Sequence, residues 1–123
     1  MSDLIEWFGE RHPGRVIVSK AGGFVHADLA LELVAAAERS SVAILSIEAF
    51  LVESGGVAYP VAGRANDLLT LDQLDCETLV SSTCGSARRI LTGPWATSPT
   101  PDQTASLHPD VAYQHMIRFV LDQ

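Results

Sequence analysis

The spacing of apolar residues changes several times along the chain, and each change marks an element. Over residues 3–10, Leu4, Ile5 and Phe8 share one helical face, and Ser2 or Asp3 stands ready as a cap; a short helix is predicted. Pro13-Gly14 ends it. Arg15-Val16-Ile17-Val18-Ser19 is β-branched and predicts a strand, closed by a turn at Ala21-Gly22-Gly23. The glycine pair lacks the rest of a phosphate-cradling pattern, so it reads as a plain turn. Residues 26–40 predict a helix: Leu29, Leu33, Ala36 and Ala37 form one stripe, widened by Ala30 and Val34, while Asp28, Glu32 and Arg39 lie opposite.

Val42 to Val52 is almost continuously apolar and follows a helix, which predicts a central strand buried on both faces. Glu48 interrupts it. A carboxylate there must be paired, hydrogen-bonded or on a wetter face of the sheet. Ser54-Gly55-Gly56 is a hairpin signal leading into a strand at residues 57–61, and Pro60 places that strand at an edge. Thr70 and Gln73 resemble a capping box, Asp75 is a second N-cap candidate, and helical spacing from Cys76 to Leu91 predicts a helix over 75–91, with Gly85 a place for a bend. Residues 92–109 hold Pro94, Pro99, Pro101 and Pro109 and are expected to be irregular, with Trp95 tacking their start to the core. Residues 110–123 suit either a helix or an alternating strand; their aromatic and β-branched content favours the strand. Together these elements predict one domain over residues 1–123. The fold class is α+β or α/β, a small mixed sheet of three to five strands with helices mainly on one face.

Hydrophobic residues make up 47% and charged residues 19% of the 123, which excludes a disordered or collagen-like chain. No apolar run is long enough to span a bilayer, and Met1-Ser2-Asp3-Leu4 does not look like a secretory signal, so a soluble cytoplasmic protein is expected. Eight Lys and Arg against fifteen Asp and Glu give a formal charge of -7. That balance disfavours nucleic acid and anionic membranes, and it favours a basic protein partner. A homodimer is left open. Cys76 and Cys84, eight residues apart on one helix, would be separated by about 12 Å and are expected to be free thiols. The four histidines have no ligand spacing, so neither a metal nor another cofactor is expected.

Candidate chemistry is sparse. Ser82-Thr83-Cys84-Gly85-Ser86 puts its cysteine inside a predicted helix with no histidine nearby in sequence, so a buried structural thiol is expected. His26 and Asp28, two apart on a helix, would point to different sides. Glu48 and Glu53 point to opposite faces of one strand and form no acid–base pair. Asp67, Asp72 and Asp75 lack the alternate-residue pattern and glycine of a calcium loop. Glu48 with a histidine in a cleft remains the route to a small enzyme or ligand-binding domain.

One resemblance adds to this reading. An Ala-Leu-rich helix leading into Ile44-Leu45-Ser46-Ile47-Glu48-Ala49-Phe50, a hairpin, and a helix with Ser81 and Ala87 resembles bacterial polymorphic-toxin immunity families related to colicin immunity proteins. Those families read Ile-Leu-Gly-Gly-Asp-Val-Tyr in the strand; here both glycines are replaced and Glu48 stands in the Asp position. The match covers about half the chain. It implies a non-enzymatic inhibitor, made beside a secreted and often basic toxin whose active cleft it masks. No catalytic residue carries over. By position, Glu48, Asp67, Asp72, Asp75 and Glu77 are the expected partner contacts, because carboxylates can take the place of nucleic-acid phosphates.

Overall fold

A computed structural model gives the fold and describes residues 4–19, 22–53, 57–68, 76–97, 99 and 112–122. The elements run α1 (Leu4–Arg11), β1 (Val16–Ser19), β2 (Gly22–His26), a 3-10 turn (Ala27–Leu29), α2 (Ala30–Arg39), β3 (Ala43–Glu53), β4 (Ala58–Asp67), α3 (Cys76–Thr92) and β5 (Tyr113–Asp122). The five strands form one sheet in the order β1-β2-β5-β3-β4. Every pairing is antiparallel, so the fold is α+β and the sheet is not mixed. Two sequential pairs, β1–β2 and β3–β4, are joined only through β5, which lies between them.

Several expectations are met. Residues 113–122 are a strand, the centre of the sheet. β4, which carries Pro60, is an edge strand, and Trp95 is buried. α3 runs through Gly85 without a break. The hairpin glycines at 54–56 and the capping candidates Thr70, Gln73 and Asp75 lie outside the described residues, although Glu53 N–H does meet Val57 O at 3.0 Å across the hairpin.

Other expectations need correction. Gly22 and Gly23 are not a turn; they open β2. Gly23 lies beneath α1, where a Cβ would come within 2.3 Å of Ile5 Cγ2, so the missing side chain is what lets the helix approach. The second helix begins at Ala30 and not at residue 26, because β2 runs on to His26 before the 3-10 turn. β4 extends to Asp67, well past residue 61. β3 is not buried on both faces: Ile47, Ala49 and Leu51 enter the core beneath the helices, while Ser46, Glu48 and Phe50 face the other side and stay half-exposed.

The core lies between one face of the sheet and the helices. Leu33, Val34 and Ala37 of α2, Cys84 and Ala87 of α3, and Val25, Ile44, Ile47 and Phe119 of the sheet are all essentially fully buried. At about 1.5–3 kcal/mol for each large side chain removed from water, this layer is the main favourable term in the fold. Ser40 and Ser41 close α2: Val42 N–H bonds Ala37 O at 2.8 Å, Ser41 N–H bonds Glu38 O at 3.2 Å, and Ser41 takes φ 57°. That is the Schellman arrangement, with serine in the place that glycine usually fills.

Candidate functional site

Two opposite ends of the sheet carry the candidate chemistry. At the first, β3 begins between its neighbours, with Ala43 opposite Asp122 of β5 and Ser46 opposite Asp67 of β4. α3 lies over the same end, since Thr83 Oγ1 accepts the N–H of Ile44 at 3.0 Å. Glu77, six residues earlier on α3, therefore projects towards this end, about 9 Å back along the helix axis. Asp67, Glu77 and Asp122 are all exposed, and no described cation forms an ion pair with any of them. Asp72 and Asp75 lie outside the described residues. Two other acids are already matched, Glu38 by Arg88 at 2.9 Å and Asp28 by Arg15, and Glu32 lies 3.7 Å from His12 Nε2.

Glu48 differs from the other predicted contacts. It stands opposite Arg118 on the open face of the sheet and pairs with it, both side chains being about a quarter exposed. The Arg118 guanidinium also lies 5.9 Å from the centre of the Phe50 ring, which packs edge-on against Phe24 at 5.3 Å. Met116 sits opposite Phe50 and is 1% exposed. The register places Asp67 diagonal to Glu48, roughly 7–8 Å away on the same face. Glu48 thus adjoins the acidic end, but its charge is balanced within the chain. Both of the proposed ways to tolerate a carboxylate here operate together: the face is wetter, and the group is paired.

The same register separates Glu48 from a histidine partner. His115 stands opposite Leu51 and shares the helix-covered face with Ile117, whereas Glu48 is on the other side. The arrangement of Glu48 with a histidine in a cleft is not formed. Cys84 is buried, and burial pushes its thiol up, which leaves it a poor nucleophile.

The second end holds a feature that the sequence reading discounted. His26 Nδ1 lies 2.9 Å from Asp28 Oδ1. A helix would have splayed these side chains; the extended backbone of His26 (φ -50°, ψ 135°) followed by a 3-10 turn brings them together. Arg15 also bonds Asp28, and its carbonyl accepts the His26 N–H at 2.9 Å. The Arg15 hydrogen bond is the main cause that holds the Asp28 carboxyl below its ordinary range. With the carboxylate accepting at Nδ1–H, Nε2 is the remaining ring nitrogen of His26.

His26, Asp28, Leu31, Leu91, Trp95 and His115 line an open cleft of about 660 Å³ between the 3-10 turn, the end of α3 and β5. Burial pushes His115 down to about 4, and the charges of Arg64 and His26 add to the effect. Arg64 arrives through an irregularity in β4, where residues 61–64 stand against Ala49 alone and Gly63 takes φ 78°. Its guanidinium donates to Thr97 O at 2.9 Å. The residues that build this cleft are far apart in sequence, so no local motif announces it; the only signal was the His-Ala-Asp spacing after Val25.

Among the described residues no group of three or more His, Cys, Asp or Glu side chains is placed to hold a metal ion, and no helix is long and apolar enough to cross a membrane. No family model, curated protein or solved structure matches the chain.

Proposed function

We propose that this chain is a non-enzymatic protein-binding module, an immunity-type inhibitor that masks the active cleft of a basic toxin domain in the cytoplasm. The observation that carries the reading is that Asp67, Glu77 and Asp122 are all exposed, on elements that meet at the end where β3 begins, without a described cation to balance them. Exposed like charges at one end destabilise the chain by self-repulsion, and they steer a positively charged partner to that end at rates up to powers of ten above the neutral case. The overall charge of -7 acts in the same direction. Glu48 contributes through its position beside Asp67 and keeps Arg118 as its partner.

The test takes as its probe any secreted protein with a basic C-terminal domain that is encoded beside this chain's gene. The reading expects a 1:1 complex that abolishes the toxin's activity. Its association rate should fall about ten-fold or more between low salt and 0.5 M, as the screening length contracts. A toxin that stays fully active at saturating protein overturns it. A second reading, self-association through the open sheet face, rests on the exposed Ile17 and the half-exposed Phe24–Phe50 pair. Sedimentation of the protein alone distinguishes the two, because an inhibitor with a free docking end should remain monomeric at micromolar concentration.

A further inference from the structure

The cleft at the opposite end of the sheet has an apolar floor, two histidines in its lining and a buried positive charge behind it, an arrangement that stands independently of the inhibitor reading. Leu31 is 42% exposed at its rim, and Leu91, Trp95 and Ile117 form its lining. Concave apolar surfaces with a few convergent polar groups are where small molecules bind. The charge of the ligand follows from the polar groups. Asp28, the carboxylate at the wall, is already neutralised by Arg15. Arg64 is 5% exposed, its described hydrogen bond goes to a neutral carbonyl, and no described carboxylate pairs with it. A buried guanidinium without a counter-charge is costly, and an anion within its field offsets that cost. His115, which lines the cleft, feels the Arg64 charge, and its buried Nε2 has no hydrogen-bond partner among the described residues. Glu53, the other described carboxylate at this end, is hydrogen-bonded to Tyr59.

We propose that this cleft binds a small organic carboxylate with an apolar or aromatic body. The carboxylate sits on Nε2 of His26, whose Nδ1 is held from behind by Asp28, and in the field of Arg64. The apolar body lies against Leu31, Leu91 and Trp95.

The experiment follows the histidine ring signals of the isotopically labelled full chain by NMR, with phenylacetate as the probe and benzyl alcohol as its uncharged counterpart. Phenylacetate should shift His26 and His115 saturably, with a Kd of about 1 mM or below at pH 6, and benzyl alcohol should bind about ten-fold more weakly. Leu31→Glu, an exposed change that leaves the fold intact, should weaken phenylacetate about ten-fold by repulsion, and His26→Gln should do the same by removing the donor at Nε2. Arg64→Met removes a buried group, so it is read only where the sheet signals of the variant remain native. Absence of saturable shifts, equal binding of the alcohol, or full binding by Leu31→Glu overturns the proposal.

Discussion

A single hydroxyl ties α3 to the sheet. Thr83 is fully buried; its Oγ1 accepts the Ile44 N–H at 3.0 Å and donates to Leu79 O at 2.8 Å, beside a place where the β3–β5 register shifts. Replacing it with the near-isosteric valine leaves a buried N–H without a partner. Thr83→Val should therefore lower stability by about 1–3 kcal/mol in urea denaturation, while Thr83→Ser, which keeps the hydroxyl, should recover most of the loss from the hydrogen bond. His115 sets a second residue-scale expectation. Its folded value of about 4 lies below the ordinary 6.5, so the unfolded chain binds more protons between those pH values. The stability from the neutral ring is complete above pH 6.5 and is lost as the pH falls towards 4, a loss of about 3 kcal/mol at full value. His115→Gln should flatten the stability profile across that window. Asp28 acts in the same sense at lower pH: Arg15 holds its carboxyl down, so its contribution is present above the ordinary carboxylate range and fades as acid protonates it.

Elements with a strong local period were the legible ones. The α2 stripe of Leu33, Val34, Ala36 and Ala37 can be read from spacing alone, and all four are buried. β2 could not be read, because Gly22 and Gly23 have no side chains to set a period, and its place in the sheet depends on pairing with β1 on one side and, on the other, with residues ninety or more positions away in β5. The His26–Asp28 pair is not legible in the sequence, because helical spacing from residue 26 sets the two side chains apart, whereas the chain there is a strand end followed by a 3-10 turn. The acidic end was readable only in part: Asp67 and Glu77 stand out in sequence, but Asp122 joins them through the β3–β5 register. Two element-scale substitutions follow. Ser41→Gly relieves a left-handed residue at the end of α2 and should raise stability by about 0.5 kcal/mol, measurable as a higher urea midpoint at unchanged slope. Gly23→Ala drives a methyl into Ile5 beneath α1 and should lower stability by about 1–3 kcal/mol. Adding Ile5→Ala, which removes all three atoms in conflict, should make the double variant cost less than the sum of the two single changes, although Ile5→Ala alone destabilises.

For the whole molecule, charge is divided along the strands: unbalanced carboxylates at the end where β3 begins, and Arg64 with the two histidines at the other. A double variant, Asp67→Lys with Glu77→Lys, removes surface charge without touching the core. It should keep the melting temperature within a few degrees, and it should slow capture of the proposed basic partner about ten-fold or more at low salt, with little change at 0.5 M. Equal capture rates for variant and parent would place the docking surface elsewhere. The strand order has a further consequence for synthesis. A ribosome delivers β1–β2 and β3–β4 as two separate ribbons, and neither can be sealed to the other until the strand that divides them has left the exit tunnel. The nascent chain must therefore hold Phe24, Phe50 and the facing edges of both ribbons unsatisfied until β5 emerges, and a chain stopped anywhere before Tyr113 should be recovered as an unfolded, protease-sensitive species.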